Sequence, residues 1–146
     1  MGAKPAVPET SIERIIAYVG RRKWWHVPPA DPDAYRKRGK FLASSFREAE
    51  FYGRPLDEPE KVSIKHPLVG DEETIARVLG IPPQQEGMSL EEIAEHDARW
   101  RSAALDKGFD SIVLMSPKAF LEFAANDKLP RSLELNILNS GNGDGP

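Results

Sequence analysis

The chain has 146 residues, a length that fits one compact domain, and its net charge of −3 argues against a general affinity for nucleic acid or anionic membranes. Hydrophobic residues make up 40% of the chain, which is enough for a packed core and excludes a largely disordered protein. The absence of cysteine excludes disulfides, thiolate catalysis and cysteine zinc sites. We expect one domain at 1–139, a disordered tail at 140–146, no metal site, no membrane association, and a location in the cytoplasm or, after delivery, in a host cytoplasm.

The first half of the chain alternates between helix and strand patterns. Apolar residues at helical spacing predict a helix over 11–20, which Gly20 ends. The aromatic and β-branched run 23–27 predicts a strand, and 31–39 predicts a polar loop or a short helical turn. We expect a strand at 41–43 that leads into a helix, and alternation over 61–65 predicts a strand with one exposed face.

The second half of the chain has stronger boundary signals. Acidic residues predict the start of a helix over 71–79, and a Ser-x-x-Glu capping box predicts a long helix over 89–107. An apolar run at 109–115 predicts a buried strand, and a proline at its first turn predicts a helix over 117–126. The alternation in 132–138 predicts an amphipathic strand. The long helix is expected to bury Leu90, Ile93, Trp100, Ala103 and Ala104.

These elements follow no regular β-α-β order, which predicts an α+β fold with largely antiparallel pairing. In the strand at 132–138, Leu133, Leu135 and Ile137 are expected to face the core. The opposite, exposed face is expected to carry Ser132, Glu134 and Asn136.

Three segments of the chain resemble the signature regions of the ADP-ribosyltransferase superfamily, in its diphtheria-toxin and poly(ADP-ribose) polymerase branch. They are Trp24-Trp25-His26, the stretch 39–52 (GKFLASSFREAEFY) and the stretch 132–138 (SLELNIL). The stretch 109–113 (FDSIV) is similar to a strand found in many small bacterial and phage members. The resemblance implies a mixed, mostly antiparallel split β-core flanked by helices, and NAD as the substrate.

The resemblance also implies roles for individual residues. His26 would hydrogen-bond a ribose hydroxyl of NAD, the backbone of Val27 would hold the nicotinamide amide, and Tyr52 would stack on the nicotinamide ring. Glu134 would be the catalytic carboxylate. This chemistry is plausible because loss of nicotinamide builds positive charge on the ribose, which a nearby carboxylate stabilises.

Other positions in the stretch 39–52 match the family less fully. Ser44 and Ser45 occupy the strand-to-helix turn where many members place small polar residues, and either serine is also a candidate helix cap. Phe41 stands where the branch usually has tyrosine, so it keeps a stacking surface and lacks the hydroxyl. Ser132 stands where arginine-specific members carry a second glutamate, so the resemblance does not support arginine as the acceptor.

The sequence leaves several functions open. The leading hypothesis is transfer of ADP-ribose from NAD to a macromolecule, with a protein as the expected acceptor and a nucleic-acid acceptor left open. The alternatives are NAD hydrolysis and a catalytically inactive binding or inhibitor module. Each candidate residue also has a structural interpretation: His26, Phe41 and Tyr52 as core residues, and Glu134 as a solvated carboxylate. Asp110 is the next candidate for the catalytic carboxylate.

Overall fold

The computed structural model describes residues 7–29, 33–50 and 53–138. The expected tail at 140–146 and Tyr52 therefore lie outside the described residues. In chain order the elements are α1 (Glu9–Arg21), β1 (Trp25–His26), α2 (Ala34–Arg38), β2 (Lys40–Ala43), α3 (Phe46–Ala49), β3 (Pro67–Gly70), α4 (Glu72–Leu79), α5 (Leu90–Asp106), β4 (Ser111–Leu114), α6 (Pro117–Asn126) and β5 (Glu134–Ile137).

The strands form one sheet in the order β1-β2-β5-β4-β3. The pairs β1–β2, β2–β5 and β5–β4 are antiparallel, and only β4–β3 is parallel. The expected α+β class with mostly antiparallel pairing is confirmed. Because β5 comes last in the chain yet lies between β2 and β4, the final strand joins the two halves of the sheet.

Helices cover both faces of the sheet and divide the core into two clusters. On one face, Ile15 and Val19 of α1 and Phe120 and Phe123 of α6 pack against the sheet. On the other face, α4 and α5 pack against β3 and β4, with Trp100 among the buried side chains. Burial on both faces explains why β4, with the sequence SIVL, is apolar after its first residue.

Local capping explains where the main helices begin. The side chain of Asp71 accepts a hydrogen bond from the backbone N–H of Thr74 at the start of α4. Ser89 and Glu92 form the expected capping box at the start of α5. Ser116 caps α6, with Pro117 in its first turn, so the predicted bounds of that helix are confirmed.

Three expectations about exposure and pairing are wrong. The stretch 61–65 forms no strand, although Ile64 is buried as the alternation predicted. Leu90 is 86% exposed, since it lies at the first position of α5, beyond the buried part of the helix. Asn136 is buried because β5 is a central strand with both faces covered.

Candidate functional site

Glu134 is the first residue of β5, and its neighbours on the sheet are small or apolar. It pairs with Ala43 on β2 and with Leu114 on β4. Directly paired residues share a face of the sheet, so the side chains of Ala43, Glu134 and Leu114 project on the same side. The methyl group of Ala43 fills little space, which leaves a depression beside the Glu134 side chain.

That depression is part of a cavity of about 440 Å³ where β2 and β4 end and β5 begins. The carboxylates of Glu48, Glu72 and Glu134 contribute to its wall, together with hydroxyl and apolar groups. The lining consists of Ala43, Glu48, Glu72, Leu114, Met115, Ser116, Pro117, Ser132, Leu133 and Glu134. The cavity is therefore acidic, and it favours the cationic part of a ligand.

Glu48 is held in place by several hydrogen bonds. It lies in α3, where its backbone N–H donates to the capping side chain of Ser45. Its own carboxylate accepts hydrogen bonds from the hydroxyls of Ser44 and Ser132. Burial by itself raises the pKa of Glu48. The hydrogen bonds and the charge of Arg22 together lower the pKa by more than burial raises it, so the pKa lies below its usual range.

Arg22, which follows α1, joins the same two chain segments from another side. Its guanidinium donates to the backbone oxygens of Ser44, at 3.2 Å, and Arg131, at 3.0 Å. It also contacts the hydroxyl of Tyr18 and lies over the ring of Trp24, 5.7 Å from the ring centre. Arg22 therefore connects α1, the end of β2 and the segment before β5.

An aromatic pair extends the row of side chains that contains Glu134. Trp25 pairs with Ala43 and is thus on the same face as Glu134, two strands away, which corresponds to about 10 Å between the backbones. The ring of Phe46 packs edge-on against Trp25, with the ring centres 5.1 Å apart. A carboxylate and an aromatic surface therefore share one face of the sheet, with an alanine between them.

His26 does not join this group. It pairs with Leu42, which in turn pairs with Leu135, so the register places the His26 side chain on the face opposite Glu134. His26 is 4% exposed, and both of its ring nitrogens have internal partners. Nδ1 lies 2.8 Å from the carbonyl oxygen of Phe41, and Nε2 lies 2.8 Å from the hydroxyl of Tyr35. The resemblance implies that His26 and Glu134 both contact one NAD molecule and so predicts that they meet in one cleft, and this prediction is wrong in this structure.

These contacts define the tautomer of His26, and burial favours its neutral form. A carbonyl oxygen only accepts hydrogen bonds, so Nδ1 carries the proton and donates, while Nε2 of the neutral ring accepts from Tyr35. Burial lowers the pKa of His26, and Lys40 lowers it further, against the opposite effects of the Phe41 carbonyl and Glu60. The ring is a neutral, satisfied core histidine.

The other predicted site residues have structural contacts of their own. Ser44 accepts a hydrogen bond from the backbone N–H of Leu133, and Ser45 caps α3. The half-buried Phe41 accepts from His26 through its carbonyl. Val27 directly follows β1 and is half-buried. Tyr52, as stated, lies outside the described residues.

Glu48 and Arg22 are not predicted as site residues by the sequence motifs. The only signal for Glu48 was the Ser45-x-x-Glu48 spacing, which is typical of a capping box and therefore predicts a bond to the Ser45 backbone rather than a bridge to Ser132.

Over 7–29, 33–50 and 53–138, no group of three or more His, Asp or Glu side chains is arranged to hold a metal ion. In that same part of the chain, no helix has the length and apolar character needed to cross a membrane.

Asp110, the alternative carboxylate, lies at the opposite end of β4 from the cavity. It precedes Ser111, and its side chain accepts from the backbone N–H groups of Lys65 and His66, at 2.7 and 3.1 Å. Those bonds give Asp110 a structural role.

Compared with models of protein families, with curated proteins and with solved structures, the chain matches none.

Proposed function

We propose that this protein is an ADP-ribosyltransferase-like enzyme that cleaves NAD between nicotinamide and ribose and transfers ADP-ribose to a macromolecular acceptor, with a protein as the expected class. The observation that carries the proposal is the row Trp25–Ala43–Glu134. It puts a carboxylate and an aromatic surface on one face of the sheet, next to an acidic cavity.

The proposed role of Glu134 follows from the charge that the reaction develops. Nicotinamide leaves as a neutral molecule, so the ribose becomes cationic in the transition state, as in glycoside hydrolysis. A carboxylate next to the anomeric carbon of this ribose stabilises the transition state more than the ground state.

The remainder of NAD has to avoid the acidic wall of the cavity. Its pyrophosphate is anionic, and Glu48, Glu72 and Glu134 would repel it. The start of α6, at Ser116 and Pro117, borders the same cavity, and the positive end of a helix dipole favours an anion. The proposed orientation therefore places the nicotinamide ribose at Glu134 and the pyrophosphate towards α6.

A non-catalytic binding module is the second candidate, and His26 favours it. In the family resemblance His26 holds the ribose of NAD, but here both of its ring nitrogens are used within the fold. If this histidine is only structural, the fold can persist without NAD chemistry.

The experiment incubates the protein with NAD labelled in its adenosine part, with and without a bacterial lysate. Free nicotinamide measures release, and the label on a macromolecule measures transfer. Glu134→Gln should lower release and transfer together by about 10²–10³-fold and leave NAD affinity nearly unchanged, because the carboxylate acts on charge that appears in the transition state. Glu95→Gln, which alters an exposed carboxylate on α5, is the matched control.

The outcomes separate the candidates. Transfer of the label to a protein supports the proposal, and release without transfer indicates NAD hydrolysis. If wild-type protein releases no nicotinamide under either condition, the binding module is the better assignment. Normal release by Glu134→Gln would mean that another group is the catalytic carboxylate.

A further inference from the structure

We propose that Glu48 is a positioning residue, which fixes the segment just before β5 and thereby orients the Glu134 carboxylate. The catalytic part of this inference rests on the proposed function, whereas its structural part can be measured independently.

The backbone just before β5 needs support from outside the sheet. The ladder with β2 and β4 begins at Glu134, so Ser132 and Leu133 are not paired in it. A catalytic side chain on the first residue of a strand depends on how the preceding residues are held, because fraying there would rotate or displace it.

Glu48 provides that support through two serines from different segments. One carboxylate oxygen accepts from Ser44, at the end of β2, and the other accepts from Ser132. Ser44 also accepts from the backbone N–H of Leu133, at 3.2 Å. The carboxylate thus reaches both residues that precede Glu134, directly at Ser132 and through Ser44 at Leu133.

Arg22 strengthens the same junction with bonds to the backbone. Its guanidinium holds the carbonyl oxygens of Ser44 and Arg131, so the residue before Ser132 is also tied to the end of β2. We call the set Arg22, Ser44, Glu48 and Ser132 the β5 clamp. Its members come from α1, the β2–α3 turn, α3 and the β5 approach, so it forms only in the folded chain.

The geometry of Glu48 is not explained by helix capping alone. In a full capping box the glutamate would turn back to the backbone N–H of Ser45, as Glu92 does to Ser89 at α5. The Glu48 side chain instead bridges to Ser132, which is distant in the sequence. Two hydroxyl donors on its two oxygens favour the ionised form, in agreement with its lowered pKa.

The test compares Glu48→Gln and Ser132→Ala with wild type and with Glu50→Gln, an exposed carboxylate at the end of the same helix. Amide hydrogen exchange at Leu133 reports on the clamp without requiring activity. We expect it to become about tenfold faster or more in both clamp variants, since local opening costs less free energy when tethers are removed. The Glu50→Gln protein should exchange like wild type.

Kinetics then measure the effect on Glu134. Nicotinamide release by Glu48→Gln should show kcat about 10- to 100-fold lower with the KM for NAD nearly unchanged, the scale of a misplaced reacting group. The double variant should lose no more than Glu48→Gln alone, since the bond that Ser132→Ala removes is one that Glu48→Gln already disturbs. Thermal unfolding of each variant shows whether the fold is intact, and Ser132→Ala serves if Glu48→Gln fails to fold.

Each other result overturns a specific part of the inference. Unchanged exchange at Leu133 overturns the clamp. Faster exchange with normal kcat overturns the positioning role, and a raised KM with normal kcat would make Glu48 a ligand contact instead. If wild type releases no nicotinamide, the proposed function fails, and the exchange data alone still decide whether the clamp exists.

Discussion

Gly39 lies between α2 and β2, at a point where the backbone leaves almost no room for a side chain. Its φ is +87°, a conformation that L-residues rarely adopt. A Cβ atom placed there would lie 2.3 Å from Oδ1 of Asn136 and 2.9 Å from the carbonyl oxygen of Ile137. The side chain of Asn136 is itself held by a bond from its Nδ2 to the carbonyl oxygen of Arg38. Close approach between the turn and β5 therefore requires glycine.

Gly39→Ala should lower the free energy of unfolding by about 3 kcal/mol or more, since the strain of a positive φ adds to a steric clash. Gly80, with φ +71° and no atom within 4 Å of the added Cβ, isolates the strain, and Gly80→Ala should cost about 1 kcal/mol. Gly20 lies within α1 and also has no atom within 4 Å of an added Cβ. Gly20→Ala should therefore raise the free energy of unfolding by about 0.5–1 kcal/mol. Urea unfolding measures all three, and an equal cost for Gly39→Ala and Gly80→Ala would show that the clash is relieved.

The helix α5 shows how a sequence pattern can predict an element correctly and misplace one of its residues. The capping box at Ser89 and Glu92 is formed as predicted. Trp100 and Ala104 are buried as the apolar stripe predicted, but Leu90 is exposed. A residue at the first position of a helix projects beyond the surface that the helix covers, so periodicity alone does not report its burial.

Ser89→Ala should therefore destabilise the protein by about 1 kcal/mol. The backbone N–H of Glu92 loses its acceptor, the Ser89 hydroxyl, and the reciprocal bond from the backbone N–H of residue 89 to the Glu92 side chain is weakened. Ser102→Ala changes an exposed serine in the interior of the same helix and should be neutral or slightly stabilising. Leu90→Ala should change the unfolding free energy by less than about 0.5 kcal/mol. A large loss for Leu90→Ala would mean that this side chain is covered in solution.

The strands show what local pattern cannot predict. The alternation at 61–65 correctly indicated a buried Ile64, but the backbone N–H groups of Lys65 and His66 bond to the Asp110 side chain and not to a neighbouring strand. The actual strand β3, Pro67–Gly70, contains proline and glycine, which local propensity disfavours. It forms because parallel pairing with β4 and a cover of apolar side chains outweigh that propensity.

At the scale of the whole molecule, strand register determined which candidate site residues meet. The family resemblance places His26 and Glu134 in two motifs that are distant in the sequence, and each motif forms a strand. Neighbouring residues of a strand project on opposite faces of the sheet. A change of one residue in the register of β1 would therefore exchange the faces that Trp25 and His26 occupy. Local sequence does not contain that register, since β2 and β5 are distant in the chain. The buried ring of His26 has both of its nitrogens bonded within the fold, whereas Trp25 lies on the same face of the sheet as Glu134.

His26 connects three elements, β1, β2 and α2, so its titration should affect the stability of the entire fold. Its pKa is lowered in the folded protein, chiefly by burial, from an ordinary value near 6.5. The unfolded chain therefore binds a proton at a higher pH than the folded protein does. As the pH falls below about 6.5 the unfolded state is stabilised, and the free energy of unfolding decreases.

The groups around the ring set the size of this effect. The Tyr35 hydroxyl donates to Nε2 of the neutral ring and the charge of Lys40 disfavours the protonated ring. Glu60 favours the protonated ring, and its carboxylate also bonds to Nζ of Lys40 at 2.7 Å. Asp97, whose pKa is raised mainly by burial, acts in the opposite direction at lower pH, because its folded form binds the proton more readily. Stability should thus decline through His26 as the pH falls from 7.5 to about 5.5, around its ordinary pKa near 6.5, and proton uptake by Asp97 opposes this decline.

Urea unfolding across that pH range should show the decline in wild type and a flatter profile in His26→Gln. The variant should also be less stable by about 1–3 kcal/mol at pH 7.5, because the buried carbonyl of Phe41 and hydroxyl of Tyr35 lose a well-placed partner. His66→Gln removes an exposed imidazole and should retain the wild-type profile. A His26→Gln profile as steep as wild type would show that another group controls the loss at acidic pH. A His26→Gln protein that keeps full stability at pH 7.5 would show that the ring is not a structural link between the three elements.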